Sequence, residues 1–270
     1  MRNDQGLNSK EKQELLSYYW AREPVYHPVF GAPMPRRTIV KMRAMGSALL
    51  LVYVAFTIFV AGAIDGATAL SWLTGLLFGA FCADLLSGVI HMYIDFGVSD
   101  RRTPLHKELF LSRVHHHELY RPARLNYASL WFSPALYAFL LLAVIPSILA
   151  AALGPPAIGP WTGPLWLSLV WFSSVAQISH AFAHGKGRHP VVRKLVRLLR
   201  ACGLTVPPRK HLRHHRNLDC NFSVLNGWSI PLLNWAFKRW IEQRLPRSTS
   251  PSRQRADMRR DLAYPYEEIL

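Results

Sequence analysis

The feature that most constrains the fold is the complete absence of Lys and Arg from two long windows, residues 44–100 and 125–185. The chain has 270 residues and a net charge of +16, and its 32 basic residues all lie outside these windows. Both windows contain long apolar runs, and about 20 apolar residues in a helix cross the hydrocarbon core of a bilayer. A soluble helical protein would not exclude basic residues so strictly. The pattern therefore predicts an all-α integral membrane protein.

The two windows predict four transmembrane helices, at about residues 45–64, 66–95, 130–153 and 161–184. Short connections that carry almost no charge join them in pairs, at Asp65 and at residues 154–160, where the sequence GPPAIGP favours a turn. Basic segments flank membrane spans on the cytosolic side. We therefore expect both termini in the cytosol, and the inner membrane as the location if the protein is bacterial.

The expected organisation has three parts: a basic cytosolic segment (residues 1–44), a membrane-embedded domain (residues 45–240) and a basic tail (residues 241–270) that we expect to be disordered. Within the domain, residues 190–204 predict an amphipathic helix in the membrane interface. Residues 221–237, with Trp228 and Trp235, predict a second interfacial segment. The basic residues come without a nucleic-acid-binding motif, and membrane orientation already explains them, so we expect no nucleic-acid partner.

The histidines point to a metal site. There are twelve of them, and under the four-span topology all lie at or beyond the cytosolic ends of the spans. Most fall into four clusters: His91; His115, His116 and His117; His180 and His184; His211, His214 and His215. Neutral imidazole is a common ligand of iron, zinc and copper. Of the others, His27, His106 and His189 are expected to be ordinary surface residues.

Helical spacing brings these residues together in pairs. His180 and His184 are four residues apart, so they lie on one face of a helix and can bind one ion. Asp84, His91 and Asp95 likewise share one face of the second span, where ionisable groups should point into the bundle rather than into lipid. So many imidazoles exceed what one ion needs, and they predict a site for two metal ions at the cytosolic end of the bundle.

The metal chemistry is open on this pattern alone. The three cysteines form no pattern for structural zinc or for an iron–sulfur cluster. A histidine-rich centre for two ions suits oxygen activation on lipid chains, whereas a zinc-bound hydroxide would suit a hydrolase. A membrane protein that binds metal without catalysis, such as a scaffold or regulator, is the alternative from another class.

Four blocks of the sequence resemble a known family. They are ADLLSGVIH with the following Asp95, RVHHHE, QISHAFAH and PRKHLRHHRNLDCNFSVLNGW. In order and spacing, over residues 66–240, they resemble the lipid desaturase domain, which includes the plasmanylethanolamine desaturases (Kua-like proteins, of plasmalogen synthesis) and the plastid phosphatidylglycerol desaturase. The resemblance implies a membrane oxidoreductase that uses dioxygen to introduce a double bond into a phospholipid chain.

The resemblance also implies the cofactor and its ligands. Two iron ions would be the cofactor, and the electrons would come from an external donor of the cytochrome b5 or ferredoxin type. The implied iron ligands are His91, His115, His116, His180, His184, His211, His214 and His215. Asp84, Asp95 and Asp219 are then candidates to accept the second ring N–H of ligand histidines and to orient them.

Two departures from the family pattern leave alternatives open. The triple histidine permits His116 and His117, rather than His115 and His116, as ligands. Where the vinyl-ether branch carries a histidine and an acid, this chain has Leu218 and Asp219, which leans toward the acyl-lipid branch. A lipid hydroxylase that uses the same metal centre is the nearest alternative enzyme.

Overall fold

The computed structural model describes residues 36–96, 127–148, 158–184 and 190–245. Within these ranges every regular element is helical and none is a strand, as the sequence predicts. The elements are α1 (Arg36–Gly62), α2 (Ala69–Phe96), α3 (Tyr127–Phe139) with a π-helical turn (Leu140–Val144), α4 (Thr162–Ser174), α5 (Ala176–Ala183), α6 (Pro190–Ala201), α7 (Pro208–Asn217) and α8 (Ile230–Ala236) with a π-helical turn (Phe237–Ile241) and a 3₁₀ turn (Glu242–Arg244).

Two helices, α1 and α2, are long and apolar enough to cross a membrane, and α4 with α5 makes a third span if that pair is counted as one. The pair is bent by 52°. At the predicted third span, the described helix Ala135–Ile148 is apolar but shorter than a full span. Residues 149–157 lie outside the described part of the chain, so the four-span topology stays a prediction.

Several predictions concern residues that the structure does not describe. The segment before residue 36 and the tail beyond residue 245 are among them, as is the second histidine cluster. The histidines in question are His27, His106, His115, His116, His117 and His189.

The two long helices differ slightly from the predicted spans. α1 begins at Arg36, ahead of the apolar run, and its first turns carry basic residues whose long side chains can reach the headgroup region. α2 begins just after Thr68, because Thr68 and Ser71 cap it reciprocally: each backbone N–H donates to the other's hydroxyl, at 2.9 and 3.1 Å. Polar side chains thus set where the second helix starts.

The outer surfaces of both helices are strongly apolar. Leu51, Ile58, Phe59 and Leu70 each have about 70% of their surface exposed (70, 68, 69 and 68%). Such a continuous apolar surface is unstable in water and suits contact with lipid. The structure therefore supports a membrane protein independently of helix length.

An aromatic cluster joins α1, α3 and α4. The Tyr53 ring lies between Trp131, Phe139 and Trp171, with ring centroids 5.4, 5.2 and 4.9 Å away. Its hydroxyl donates a hydrogen bond of 2.7 Å to the carbonyl of Ala135. Because a lone polar group is costly inside a bilayer, this bond and the ring contacts hold α3 against α1.

Small residues let α2 and α4 pack closely. Gly75 and Gly79 are one helical turn apart, and a Cβ atom on Gly75 would lie 2.7 Å from the carbonyl oxygen of Trp161. The Ser168 hydroxyl then donates to the carbonyl of Leu76 at 2.6 Å. This arrangement of small residues four apart is typical of helix pairs in membranes. It sets the position of α2, which carries His91 and Asp95 near its end.

The expected amphipathic helix is α6. Val191, Leu195 and Leu198 are exposed (66, 52 and 61%) while Val196 is buried against the protein. Arg200, in its last turn, donates a hydrogen bond of 2.7 Å to the carbonyl of Phe182 in α5. One side of α6 therefore holds α5, and another side presents apolar residues outward.

The expectation of one interfacial segment over residues 221–237 is wrong for its first half. Residues 221–227 form a buried, non-helical loop, and only the part from Ile230 onward is helical. Trp235 is 53% exposed, as an interfacial residue would be. The loop is buried because its polar groups surround the carboxylate of Asp84, which is described below.

Candidate metal centre

Two groups of potential metal ligands occur in the described part of the chain. One consists of four histidines and is called here the four-histidine group: His180, His184, His211 and His215. The other is called the carboxylate group: His91, Asp95 and His214. In each group, one donor atom per residue lies within 4.8 Å of all the others.

The four-histidine group brings imidazole nitrogens into close contact. Nε2 of His211 lies 3.0 Å from Nε2 of His180, 2.9 Å from that of His184 and 3.0 Å from that of His215. A neutral imidazole nitrogen either donates one hydrogen or accepts one. Three such neighbours cannot all be hydrogen-bonded to the same nitrogen. Lone pairs that converge in this way fit a metal cation, and imidazole suits zinc, copper, iron or nickel.

α5 with its C-cap residue His184, and α7, each supply a pair of histidines four residues apart. The bend between α4 and α5, at Val175, redirects the chain toward α7. α5 is then held by Ser179, whose hydroxyl donates to the carbonyl of Leu225 at 3.0 Å, and the same carbonyl accepts the N–H of Val206. The bend and these bonds position His180 and His184 opposite α7.

The carboxylate group joins α2 to α7. Oδ2 of Asp95 lies 3.2 Å from Nε2 of His214 and 3.6 Å from Nε2 of His91. The other ring nitrogens face backbone carbonyls: Nδ1 of His91 is 2.9 Å from the oxygen of Phe222, and Nδ1 of His214 is 2.8 Å from that of Cys220. A carbonyl oxygen only accepts, so both Nδ1 atoms carry the hydrogen and both Nε2 atoms point toward Asp95.

The two groups adjoin each other. The ring centroids of His91 and His180 are 5.5 Å apart, and those of His211 and His214 are 6.0 Å apart. α7 serves both groups, because His211 and His215 lie on one side of the helix and His214 on another. The two groups therefore lie side by side, and each could hold a metal ion.

Burial keeps the α7 imidazoles in the form that binds metal. Desolvation lowers the pKa of His214 to about 4, although the Cys220 carbonyl and nearby Asp219 oppose the shift. The pKa of His211 is well below its ordinary value, because the ring is buried and because His184, His180 and other imidazoles surround it. Neutral imidazole rings are the form in which histidine binds a cation at neutral pH.

Asp84 has a role other than the predicted one. The sequence predicts that it orients a ligand histidine, but its carboxylate bonds to the loop instead. Oδ1 accepts the N–H groups of Asn226 and Gly227, both at 2.9 Å, and the hydroxyl of Ser223. Oδ2 accepts the N–H and hydroxyl of Ser229, at 2.8 and 2.6 Å. Asp84 thus anchors the loop that carries the Cys220 and Phe222 carbonyls.

Asp219 also differs from its predicted role. Its carboxylate lies 3.6 Å from Nζ of Lys238, near the surface, and it belongs to neither ligand group. Of the three aspartates predicted to orient histidines, Asp95 is the one whose carboxylate lies beside histidine rings, and it does so as a member of the carboxylate group. Of the eight predicted ligands, the six that the structure describes all belong to the two groups. His115 and His116 lie outside the described residues.

Sequence reasoning missed the loop. Residues 223–229 surround Asp84 with N–H and hydroxyl donors, and Gly227 adopts a left-handed conformation (φ 81°) that glycine tolerates. The signal was the concentration of Ser, Asn and Gly after the last histidines, which is unusual for a segment in the membrane interface.

These features agree with a comparison to known families. The family model of the lipid desaturase domain matches residues 80–253, which is more than half of the chain and includes both ligand groups. The chain belongs to the lipid desaturase domain family. No curated protein and no solved structure is significantly similar to the chain.

Proposed function

We propose that the protein is a membrane oxidoreductase that uses two iron ions and dioxygen to introduce a double bond into a phospholipid chain. The observation that carries the proposal is the pair of adjoining ligand groups at the ends of apolar helices, in a chain of the lipid desaturase domain family. The overall reaction would convert –CH₂–CH₂– to –CH=CH–, with dioxygen, two electrons and two protons forming two molecules of water.

In this proposal the four-histidine group and the carboxylate group would each hold one iron. Bound iron would supply the oxidising power for removing hydrogens from an unactivated chain. The protein's own residues would keep the imidazoles neutral, fix the ring orientations through the Cys220 and Phe222 carbonyls, and exclude water. Exclusion of water is favoured by the complete burial of His211 and His214.

We propose a phospholipid as the substrate, with an acyl chain rather than an ether-linked chain as the site of reaction. We favour an acyl chain because Leu218 occupies the position at which the vinyl-ether branch carries a histidine. Leu218 is buried in an apolar cluster with Met92, Phe222 and Phe237. The second candidate product is a plasmalogen-type vinyl ether. Acid treatment distinguishes the two products, because it cleaves a vinyl ether and leaves an unsaturated acyl chain intact.

The proposed topology has four spans, with both termini and the metal centre in the cytosol. The basic residues of α6 and of the following segments support that orientation. Labelling of single cysteines in intact cells or spheroplasts tests it. A cysteine at Ala157 should react with an impermeant maleimide, whereas one at Lys194 should react only after the membrane is opened. The opposite pattern would contradict this topology.

We also propose that an external donor, of the cytochrome b5 or ferredoxin type, supplies the electrons. Such donors are acidic, and the basic cytosolic segments of the chain would attract them electrostatically. The expected result is a rate of reduction that falls steeply as ionic strength rises. A rate independent of ionic strength would contradict an electrostatic docking site.

The main experiment combines metal analysis with lipid analysis. The protein is expressed in cells that lack it, and lipids are profiled by mass spectrometry beside a His184→Ala variant and a His27→Ala control. Desaturation predicts a loss of two hydrogens from a phospholipid chain in cells with the wild-type and control proteins, and none with His184→Ala. A gain of one oxygen would indicate a hydroxylase instead.

Two other outcomes would overturn the proposal. An unchanged lipid profile, with metal bound and an electron donor supplied, would favour a metal-binding scaffold. One zinc ion in the purified protein, with activity that needs neither dioxygen nor reductant, would favour a hydrolase.

A further inference from the structure

The carboxylate group and the four-histidine group offer different donors. We propose that Asp95 is a direct metal ligand, so that one ion is bound by imidazole nitrogens alone and the other by His91, His214 and a carboxylate. The inference rests on the proposed metal centre and goes beyond the histidine ligands that the sequence resemblance implies.

The orientation of the rings carries the argument. Nδ1 of His91 and Nδ1 of His214 both donate to backbone carbonyls, at 2.9 and 2.8 Å, so each neutral ring has its lone pair on Nε2. Both lone pairs face the carboxylate of Asp95, with the shorter approach at 3.2 Å. Two lone pairs and a carboxylate oxygen repel one another unless a cation lies between them. The geometry therefore calls for a cation at the centre of the three residues.

That cation is better supplied by a metal ion than by a proton. An additional proton on His214 would make an imidazolium with His211 and His215 as close neighbours, in a site where both His214 and Asp95 have no exposed surface. A divalent cation instead satisfies both rings and the carboxylate at once. The backbone carbonyls that orient the two rings are the outer partners that ligating histidines usually have.

The unequal donors predict unequal ions. Two histidines and one carboxylate form the set found in mononuclear non-haem iron oxygenases, whereas four imidazoles suit several transition metals. A carboxylate is a harder ligand than imidazole, and its combination with two histidines is the set that characterises non-haem iron(II) sites. We therefore assign the more iron-selective site to the carboxylate group, on α2 and α7.

The test is the metal content of Asp95→Asn beside Asp219→Asn. Both variants replace a carboxylate by an amide, but Asp219 pairs with Lys238 near the surface and belongs to neither ligand group. The wild type and Asp219→Asn should each bind two iron ions, and Asp95→Asn should bind one. His184→Ala should lose the other ion, and the double variant with Asp95→Asn should bind none.

Mössbauer spectroscopy of the iron-loaded proteins gives a second readout that does not depend on turnover. The wild type should show two distinct iron environments of equal area. Asp95→Asn should lack one of them, and His184→Ala should lack the other. If Asp95→Asn keeps both ions with unchanged spectra, Asp95 is an outer hydrogen-bond partner and the inference is overturned.

Two further outcomes keep the inference separate from the proposed function. A wild-type protein that binds no metal would overturn the proposed centre itself, together with this inference. If Asp95→Asn fails to fold, Asp95→Glu decides: it retains an oxygen donor, and it should bind two ions with only one altered iron environment. Two unaltered environments in Asp95→Glu would contradict direct ligation.

Discussion

The carboxylate of Asp84 accepts both the backbone N–H and the hydroxyl of Ser229, a residue 145 positions further along the chain. Three more donors of the same loop bond to the other carboxylate oxygen. This one side chain thus ties the middle of α2 to the loop after α7. Since that loop supplies the carbonyls that orient His91 and His214, Asp84 supports the candidate metal centre indirectly, through the loop.

Replacing Asp84 by asparagine should destabilise the protein and weaken the carboxylate group. Asn keeps one acceptor oxygen but turns the other into an N–H donor, which would face the N–H and O–H donors of the loop. A buried donor left unsatisfied costs about 1–3 kcal/mol, and bonds to a charged acceptor are at the upper end. We expect a lower thermal unfolding midpoint in detergent and a loss of one iron.

The control for that variant is Asp65→Asn, the same change at an exposed residue between α1 and α2. It should leave both the unfolding midpoint and the iron content at wild-type values. An Asp84→Asn protein with the stability and two irons of the wild type would show that the loop holds its position without the carboxylate.

Gly79→Leu should disrupt the contact between α2 and α4. A side chain at Gly79 would collide with the backbone of Leu165 and with Ser168. Overpacking of this kind typically costs about 1–3 kcal/mol, and here it would also shift the helix that carries His91. We expect a lower thermal midpoint, measured in the same detergent as the wild type.

Gly62→Leu is the matched control, because nothing lies within 4 Å of the position that its Cβ would occupy. Its thermal unfolding midpoint should be close to that of the wild type. Equal destabilisation by both substitutions would mean that the effect comes from glycine replacement in general and not from helix packing.

The outward side of α6 should lie in the membrane interface. The measurement uses two proteins in which all native cysteines are replaced. One carries a single cysteine at position 195 and the other at position 194, and each is labelled with a polarity-sensitive fluorophore. In vesicles that contain anionic lipid, the label at Leu195 should emit at shorter wavelength than the label at Lys194, because Leu195 faces the acyl boundary and basic residues bind headgroups. Equal emission at both positions would place α6 in water.

Much of the fold follows from the sequence because the membrane imposes simple rules. The exclusion of basic residues predicts the positions of α1, α2 and the α4–α5 pair. Histidine spacing predicts the candidate ligands at the end of α5 and on α7. The bend at Val175 was not predictable, since it depends on tertiary bonds from Ser179 and Val206 to one carbonyl. Periodicity describes one helix at a time and contains no information on such contacts.

The aspartates show the same limit. Asp84, Asp95 and Asp219 carry the same functional group near histidines in the sequence, and the sequence assigned them one common role. The structure gives them three: a loop anchor, a member of a donor group and a partner of Lys238. What separates them is the direction of each carboxylate and its burial, and both depend on a loop that no helical pattern predicts.

Metal removal should lower stability, and the four-histidine group should account for part of that effect. A ligand at a hundred times its dissociation constant stabilises the folded state by about 2.7 kcal/mol. We expect a chelator to lower the thermal midpoint of the wild type, and ferrous iron to restore it. In His211→Ala the chelator should cause a smaller drop, because Nε2 of His211 is the nitrogen closest to three others. His27→Ala should respond to the chelator like the wild type.

The opposite result would be an iron-loaded wild-type protein whose thermal midpoint does not change when its iron is removed. In that case the ligand groups keep their positions without metal, and the close contacts between imidazole nitrogens need another explanation.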